Sequence, residues 1–301
     1  MKAFWAFLAL LGLTGCTAVS PVTWKERVER KPAQIIPQLH YEEQGTGETL
    51  LLLHGLGESS FTWRYLVDDL AKQYRVISLD MKGFGKSPKP RDGRYSIYDQ
   101  AIVVKQFIEQ QQLDKFTLVG HSLGGGVALA LTLMAEQETW DIERLVLIDA
   151  AAYKQNLPSM LRDLSKPVVG DIGIYVVSPT KQAKQAYKFS FYNDMKIPSE
   201  GVKEYARNLL RPRSRYVFLQ STKQLIPEDI EAVSQQYAQI QQPTLIIWGY
   251  HDVVIHRRNA KRLHNDLTNS TLKLIRDAGH MPQEETPKQV FALITDWLSK
   301  Q

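Results

Sequence analysis

Ser122 stands in Gly120-His121-Ser122-Leu123-Gly124, between the strand-forming run Phe116-Thr117-Leu118-Val119 and an apolar, alanine-rich helical pattern from Val127 to Met134. A serine at the apex of a strand-to-helix turn is held in a strained backbone, with its hydroxyl lifted clear of the sheet. Gly120 and Gly124 leave room for the neighbouring strand and helix, and the amides that open the helix point at whatever binds there. A hydroxyl is a poor nucleophile until a base takes its proton, and near neutral pH that base must be histidine-like. Of the seven histidines, His280 lies in Asp277-Ala278-Gly279-His280-Met281-Pro282, just past the last strand-like run and at the same sheet edge as Ser122. His54 and His121 neighbour glycines and read as structural, His256 and His264 read as surface, and His40 and His251 carry no signal. An acid must hold the base in the right tautomer. Asp252 and Asp149 both end strand-like runs; Asp149 sits between Ile148 and a run of alanines and reads as a structural cap, so Asp252 is preferred. Attack on a carbonyl also creates an oxyanion, which needs two aimed donors. The backbone N–H groups of Leu123 and of Leu56, in His54-Gly55-Leu56-Gly57, are the candidates.

Regular elements must bring these residues together. Gln38–Glu43 reads as a first edge strand, and Thr49–Leu53 is an unbroken apolar run, the pattern of a strand buried on both faces of a parallel sheet. Ser59 or Ser60 is placed to cap a helix carrying Phe61, Trp63, Leu66, Val67 and Leu70 on one face. Arg75–Asp80 is the next strand and enters a glycine-rich loop, Asp80–Ser87. Tyr98–Gln112 reads as a helix and Arg144–Ala150 as a strand, after which the alternation stops for Ala151–Leu225. It resumes with helix Pro227–Gln241, strand Pro243–Gly249, helix Arg257–Leu267, strand Ser270–Ile275 and helix Pro287–Lys300. Strands alternating with helices predict a mostly parallel sheet covered on both faces. The insertion is expected over the carboxyl ends of the strands, where ligands bind in such sheets.

Four motifs in this order, His54-Gly55-Leu56-Gly57, Asp80 with Gly83-Phe84-Gly85 and Ser87, Gly120-His121-Ser122-Leu123-Gly124-Gly125, and Asp252 with His280, resemble the α/β-hydrolase superfamily. The resemblance covers roughly residues 38–300. It implies an α/β fold with a mostly parallel eight-stranded sheet, helices on both faces and a helical cap inserted after strand six. The core then spans residues 38–150 and 226–301, the cap spans 151–225, and Ser122, Asp252 and His280 form the triad. His256 departs from the pattern, since relatives commonly have proline there. Haloalkane dehalogenases and epoxide hydrolases of the superfamily carry aspartate at the elbow, so Ser122 speaks against both. The Gly-His-Ser-Leu-Gly-Gly elbow looks like esterases and lipases, which implies a carboxylic ester or lipid substrate with an apolar acyl group. Carbon–carbon bond hydrolases of ring-cleavage products share the serine, cap and triad and are the alternative. A perhydrolase activity is weaker, and a non-enzymatic lipoprotein that kept the fold is disfavoured by the intact triad. No His, Cys and carboxylate set has metal-ligand spacing, and the resemblance implies no organic cofactor, so neither metal nor cofactor is expected.

The N-terminus adds a location. Met1-Lys2 is followed by the apolar stretch Ala3–Leu13 and by Leu13-Thr14-Gly15-Cys16. That stretch is too short to span a bilayer but suits a signal-peptide core. Leu-Thr-Gly-Cys resembles the lipobox of bacterial lipoproteins, which implies cleavage before Cys16 and its acylation. Residues 1–15 are then a signal peptide and residues 16–37, with Pro21, Pro32 and Pro37, a tether. Thr17 is not the aspartate that resembles an inner-membrane retention signal, so an outer-membrane location is expected. Cys16 is the single cysteine, so no intramolecular disulfide can form. The composition, 44% hydrophobic and 23% charged, suits a globular chain with a sizeable core. The net charge of +5 is unevenly spread: Ala151–Leu225 holds thirteen Lys or Arg against five Asp or Glu, a net +8, which leaves the rest at −3. For an exported chain nucleic acid is a poor partner and an anionic membrane surface a better one. A solvated face is the alternative for this charge.

Overall fold

The structure, a computed structural model, describes residues 38–135, 138–166 and 168–301. The expected signal peptide, tether and Cys16 lie outside the described residues. Seven strands form one sheet: β1 (Tyr41–Gln44), β2 (Thr49–Leu53), β3 (Arg75–Leu79), β4 (Lys115–His121), β5 (Asp141–Ile148), β6 (Thr244–Gly249) and β7 (Ser270–Ile275). Their spatial order is β1-β3-β2-β4-β5-β6-β7. β1 pairs antiparallel with β3, and every other neighbouring pair is parallel. Helices α1 (Val67–Leu70), α2 (Ile97–Gln110) and α3 (Leu123–Met134) precede the insertion. The insertion holds α4 (Ser159–Ser165), α5 (Val169–Val176), α6 (Pro179–Ser190), α7 (Ser199–Leu210) and α8 (Ser214–Lys223). Then come α9 (Ile230–Ser234), α10 (Arg258–Asp266), α11 (Pro282–Glu285) and α12 (Pro287–Leu298).

The all-apolar strands follow from cover on both faces. Along β2, Leu51 and Leu53 join the core beneath α2 and α3, while Leu50 and Leu52 join Trp63 and the buried face of α12 on the other side. A fully buried leucine contributes about 1.5–3 kcal/mol, so β2 is held by the sheet's interior rather than by strand propensity. The sheet has seven strands among the described residues, not the expected eight, and the insertion follows the fifth, β5, not a sixth. The first of the seven is already the antiparallel edge: beyond β1 the backbone is tied at His40, whose carbonyl accepts from Asp80 N at 2.9 Å.

Two helices expected from pattern are interrupted. Ser59 makes no side-chain cap, and the segment begins as a tight turn at Ser60–Trp63 before α1. The carboxylate of Asp80 takes the N–H of Ser60 at 2.7 Å, the role a capping side chain would have had. Pro227–Gln241 forms only α9 and a single tight turn at Tyr237–Gln239. Tyr237 is pulled inward, its hydroxyl donating to the carbonyl of Ala152 at 2.9 Å.

Candidate active site

Ser122 joins β4 to α3 with φ 51° and ψ −114°. Such a backbone persists only where its surroundings over-determine it. Here Ser122 N donates to Ile148 O at 2.9 Å, and Ser122 O accepts from Ala151 N at 2.9 Å, Gly125 N at 3.0 Å and Gly126 N at 3.2 Å. The flanking glycines are steric necessities: a Cβ on Gly120 would lie 2.4 Å from Gly124 O, and one on Gly124 would lie 2.3 Å from Leu53 O.

His280 comes from the loop after β7, and the insertion reaches down to hold it. His280 N donates to Ser190 O, at the end of α6, at 2.5 Å. Gly279 N donates to Glu285 Oε2 at 2.8 Å. The imidazole Nε2 lies 2.9 Å from Ser122 Oγ, and Nδ1 lies 2.8 Å from Asp252 Oδ2. The other oxygen of Asp252 accepts from Val254 N at 2.7 Å and Ile255 N at 2.8 Å, which fixes the carboxyl plane. All three residues are buried. The structure thus brings together Ser122, His280 and Asp252 in one hydrogen-bonded chain, although they lie up to 158 positions apart.

Asp149 ends one step behind that chain. It is fully buried at φ 44°, accepts from Gly249 N at 3.0 Å and is hydrogen-bonded to Asp252 rather than to His280. Burial, then the adjacent Asp252 charge, pushes its carboxyl well above the ordinary range. Both effects favour the protonated carboxyl, the form that can donate to Asp252. Asp149, Asp252 and His280 hold ligand-capable atoms within 4.8 Å of one another, but those atoms are engaged in these hydrogen bonds.

Leu123 is the first residue of α3, where a helical N–H has no acceptor behind it. Leu56 lies in the loop after β2 and, with Ser122 and His280, lines a cavity of about 460 Å³ under the insertion. Its wall is mainly apolar, with Leu161, Phe189, Phe218, Val254 and Met281 among the side chains. Lys181 is the one Lys or Arg among the described lining residues. Of the aromatics at 187–192, Tyr187 and Phe191 are buried in a small cluster with Tyr205 and, from the His280 loop, Met281; Tyr187 and Phe189 line the cavity, and Tyr192 is exposed.

Sequence reasoning gave no role to four acidic residues around the site, although Asp80 stands in one of the four motifs. Asp80 holds the start of the Ser60 turn and accepts from Lys86 N at 2.8 Å. Glu284 is fully buried and takes four donors: Thr62 Oγ1 at 3.0 Å, Arg64 Nη2 at 2.8 Å, Tyr187 OH at 2.8 Å and Tyr205 OH at 2.6 Å. Glu285 accepts from Tyr192 N at 3.1 Å and Asn193 N at 2.8 Å as well as from Gly279. Glu58 meets Gly55 and His121. The available signal was position: Glu284 and Glu285 closely follow His280, and Glu58 follows the His-Gly-Leu-Gly loop.

The profile of the alpha/beta hydrolase fold matches residues 48–172 and 183–287. An uncharacterised hydrolase of Bacillus subtilis is 28% identical over 86% of this chain and 92% of its own. The 2-hydroxymuconate semialdehyde hydrolase of a Pseudomonas strain is 26% identical over 89% of this chain and 92% of its own. Among solved structures, an esterase from Exiguobacterium antarcticum superposes with a TM-score of 0.74 at 24% identity, covering 87% of this chain and 95% of the esterase. With its profile matched over most of the chain, this protein belongs to the α/β-hydrolase fold family.

Proposed function

We propose that the protein is a serine hydrolase that cleaves uncharged carboxylic esters with an apolar acyl group. The observation that carries this reading is the Ser122–His280–Asp252 chain opening into an apolar cavity. Ser122 Oγ attacks the ester carbonyl while His280 Nε2 takes its proton, and Asp252 holds the Nδ1–H and steadies the imidazolium. The N–H groups of Leu56 and Leu123 receive the oxyanion. His280 then returns the proton to the leaving alcohol, and a water activated by the same nitrogen releases the acid from the acyl-enzyme. An anionic substrate would find only the exposed Lys181 among the described lining cations, and burying an unpaired charge is costly. No metal or organic cofactor takes part in these steps.

The test is a series of p-nitrophenyl esters of increasing acyl length. Rising kcat/KM up to a chain that fills the cavity is the expected result. The absence of ester turnover at every length would move the reading to the carbon–carbon bond hydrolases, a reaction class that includes the 2-hydroxymuconate semialdehyde hydrolase relative. We also propose that Cys16 is acylated and that the protein is anchored in the cell envelope, in the outer membrane. The Leu13–Cys16 sequence supports this, and the basic insertion is then the surface offered to lipid headgroups.

A further inference from the structure

We propose that Glu58 and His121 form a buried ion pair that acts as a positioning device, tying the oxyanion loop to the backbone of the catalytic histidine. His121 Nε2 lies 2.8 Å from the carbonyl oxygen of His280, and Nδ1 lies 3.2 Å from Glu58 Oε2. A carbonyl can only accept. Glu58 Oε2 is itself an acceptor, taking the N–H of Gly55 at 2.9 Å. Nε2 must therefore donate to the carbonyl, and a single proton lies between Nδ1 and Oε2; in the ion pair it sits on the ring, which makes His121 an imidazolium and Glu58 a carboxylate. Burial opposes both charges, but each partner outweighs it: His121 is held above its ordinary value and Glu58 below. Besides Glu58, the titratable groups facing His121 are His280, with ring centroids 5.1 Å apart, His54 and Asp252.

The pair spans the two halves of the catalytic geometry. One end fixes the Gly55–Glu58 turn, which carries the N–H of Leu56 and is closed by Glu58 N donating to Gly55 O at 3.3 Å. The other end holds His280 by its own carbonyl, opposite the N–H that α6 holds. Gly55 makes the contact possible: a Cβ there would lie 2.6 Å from Glu58 Oε1 and 2.9 Å from His121 Nδ1. A buried charge pair is a costly way to hold a loop if stability is the only return, whereas a carbonyl gripped by an imidazolium gives the stronger, shorter hydrogen bond that fixed catalytic geometry needs.

Two measurements on the full chain test this; the proposal rests on the serine-hydrolase reading only for the second. In the first, the ring nitrogens of 15N-histidine are followed by NMR across neutral pH, with H121Q to identify the resonance. One histidine is expected to keep both nitrogens protonated at pH 7.5, and to become neutral in E58Q. A wild-type spectrum with every buried histidine neutral overturns the pair, and it does so even if E58Q fails to fold. In the second, kcat and KM for a soluble short-chain ester are measured for E58Q, whose amide oxygen can still accept from Gly55 N. The expected result is kcat lower by about tenfold to a hundredfold with KM within about twofold. Unchanged kcat in a folded E58Q overturns the positioning role. Wild-type protein inert toward esters would instead count against the esterase reading, and the NMR result would still decide the pair.

Discussion

Ser122, His280 and Asp252 each follow a strand and sit beside a residue that fixes a tight loop, which is why they were legible in the sequence. Replacing Ser122 or His280 by alanine is expected to lower kcat by about a thousandfold or more, with the urea midpoint little changed. Asp252→Asn is expected to cost about 10⁴ in kcat by favouring the wrong imidazole tautomer. Asp149 gives the contrast. Asparagine there can still accept from Gly249 N and donate to Asp252, so turnover by Asp149→Asn is expected to stay within a few-fold of wild type. Its signature is in stability. The folded pKa of Asp149 stands above the unfolded one, so above about pH 3.9 the folded state keeps a proton that the unfolded chain has released. Wild-type stability from this group therefore falls as pH rises toward the folded value, and Asp149→Asn removes that fall. Urea melts at a series of pH values from 4 upward should show the variant gaining on wild type, by at most about 1.4 kcal/mol per pH unit. No gain would mean that Asp149 is ionised. Glu284 was not legible because Thr62 and Arg64 lie 222 and 220 positions from it, and Glu58 because its partner His121 lies 63 positions on.

The strands were the most legible elements. Thr49–Leu53 and Ser270–Ile275 fold over the expected residues; in the first, burial on both faces leaves a continuous apolar signature, while the second is an edge strand with Lys273 exposed. Where Ser59 or Ser60 was expected to cap a helix there is a tight turn, and the N–H of Ser60 is taken by Asp80, just past β3; no local pattern records that. The elbow is the element most sensitive to a single atom. Gly124→Ala must push Leu53 O aside, and an overpacked core costs about 1–3 kcal/mol, so a fall of that size in urea stability is expected. Helices α6 and α7 are fastened to the loop of His280 through Glu284. Glu284→Ala would leave Arg64 without its nearest carboxylate, and breaking a buried pair costs about 3–5 kcal/mol; discounted for the partial exposure of Arg64, a loss of about 2 kcal/mol is expected. Hydrogen exchange should then show faster opening in α6 and α7 than in β4. Unchanged exchange there would mean that the insertion is held by its apolar contacts alone.

The assembled molecule is a sheet that presents three loops at one edge and an insertion that roofs them. The roof is basic, with Lys181, Lys184 and Lys188 exposed along α6. If Cys16 anchors the protein, Cys16→Ser should move it from the membrane to the soluble fraction while leaving turnover of a soluble ester unchanged; wild type in the soluble fraction would contradict the anchor. Lipidation stabilises membrane association by about 0.8 kcal/mol per buried methylene, so more than one chain is needed for a lasting hold. The central claim is covalent catalysis by Ser122. Its most direct test is to mix the protein with excess p-nitrophenyl ester, quench in acid within milliseconds and map the peptides by mass spectrometry. The account predicts one acyl group per chain, on the peptide that contains Ser122, and none in Ser122→Ala. An acyl group on another residue, or rapid turnover by Ser122→Ala, would contradict it.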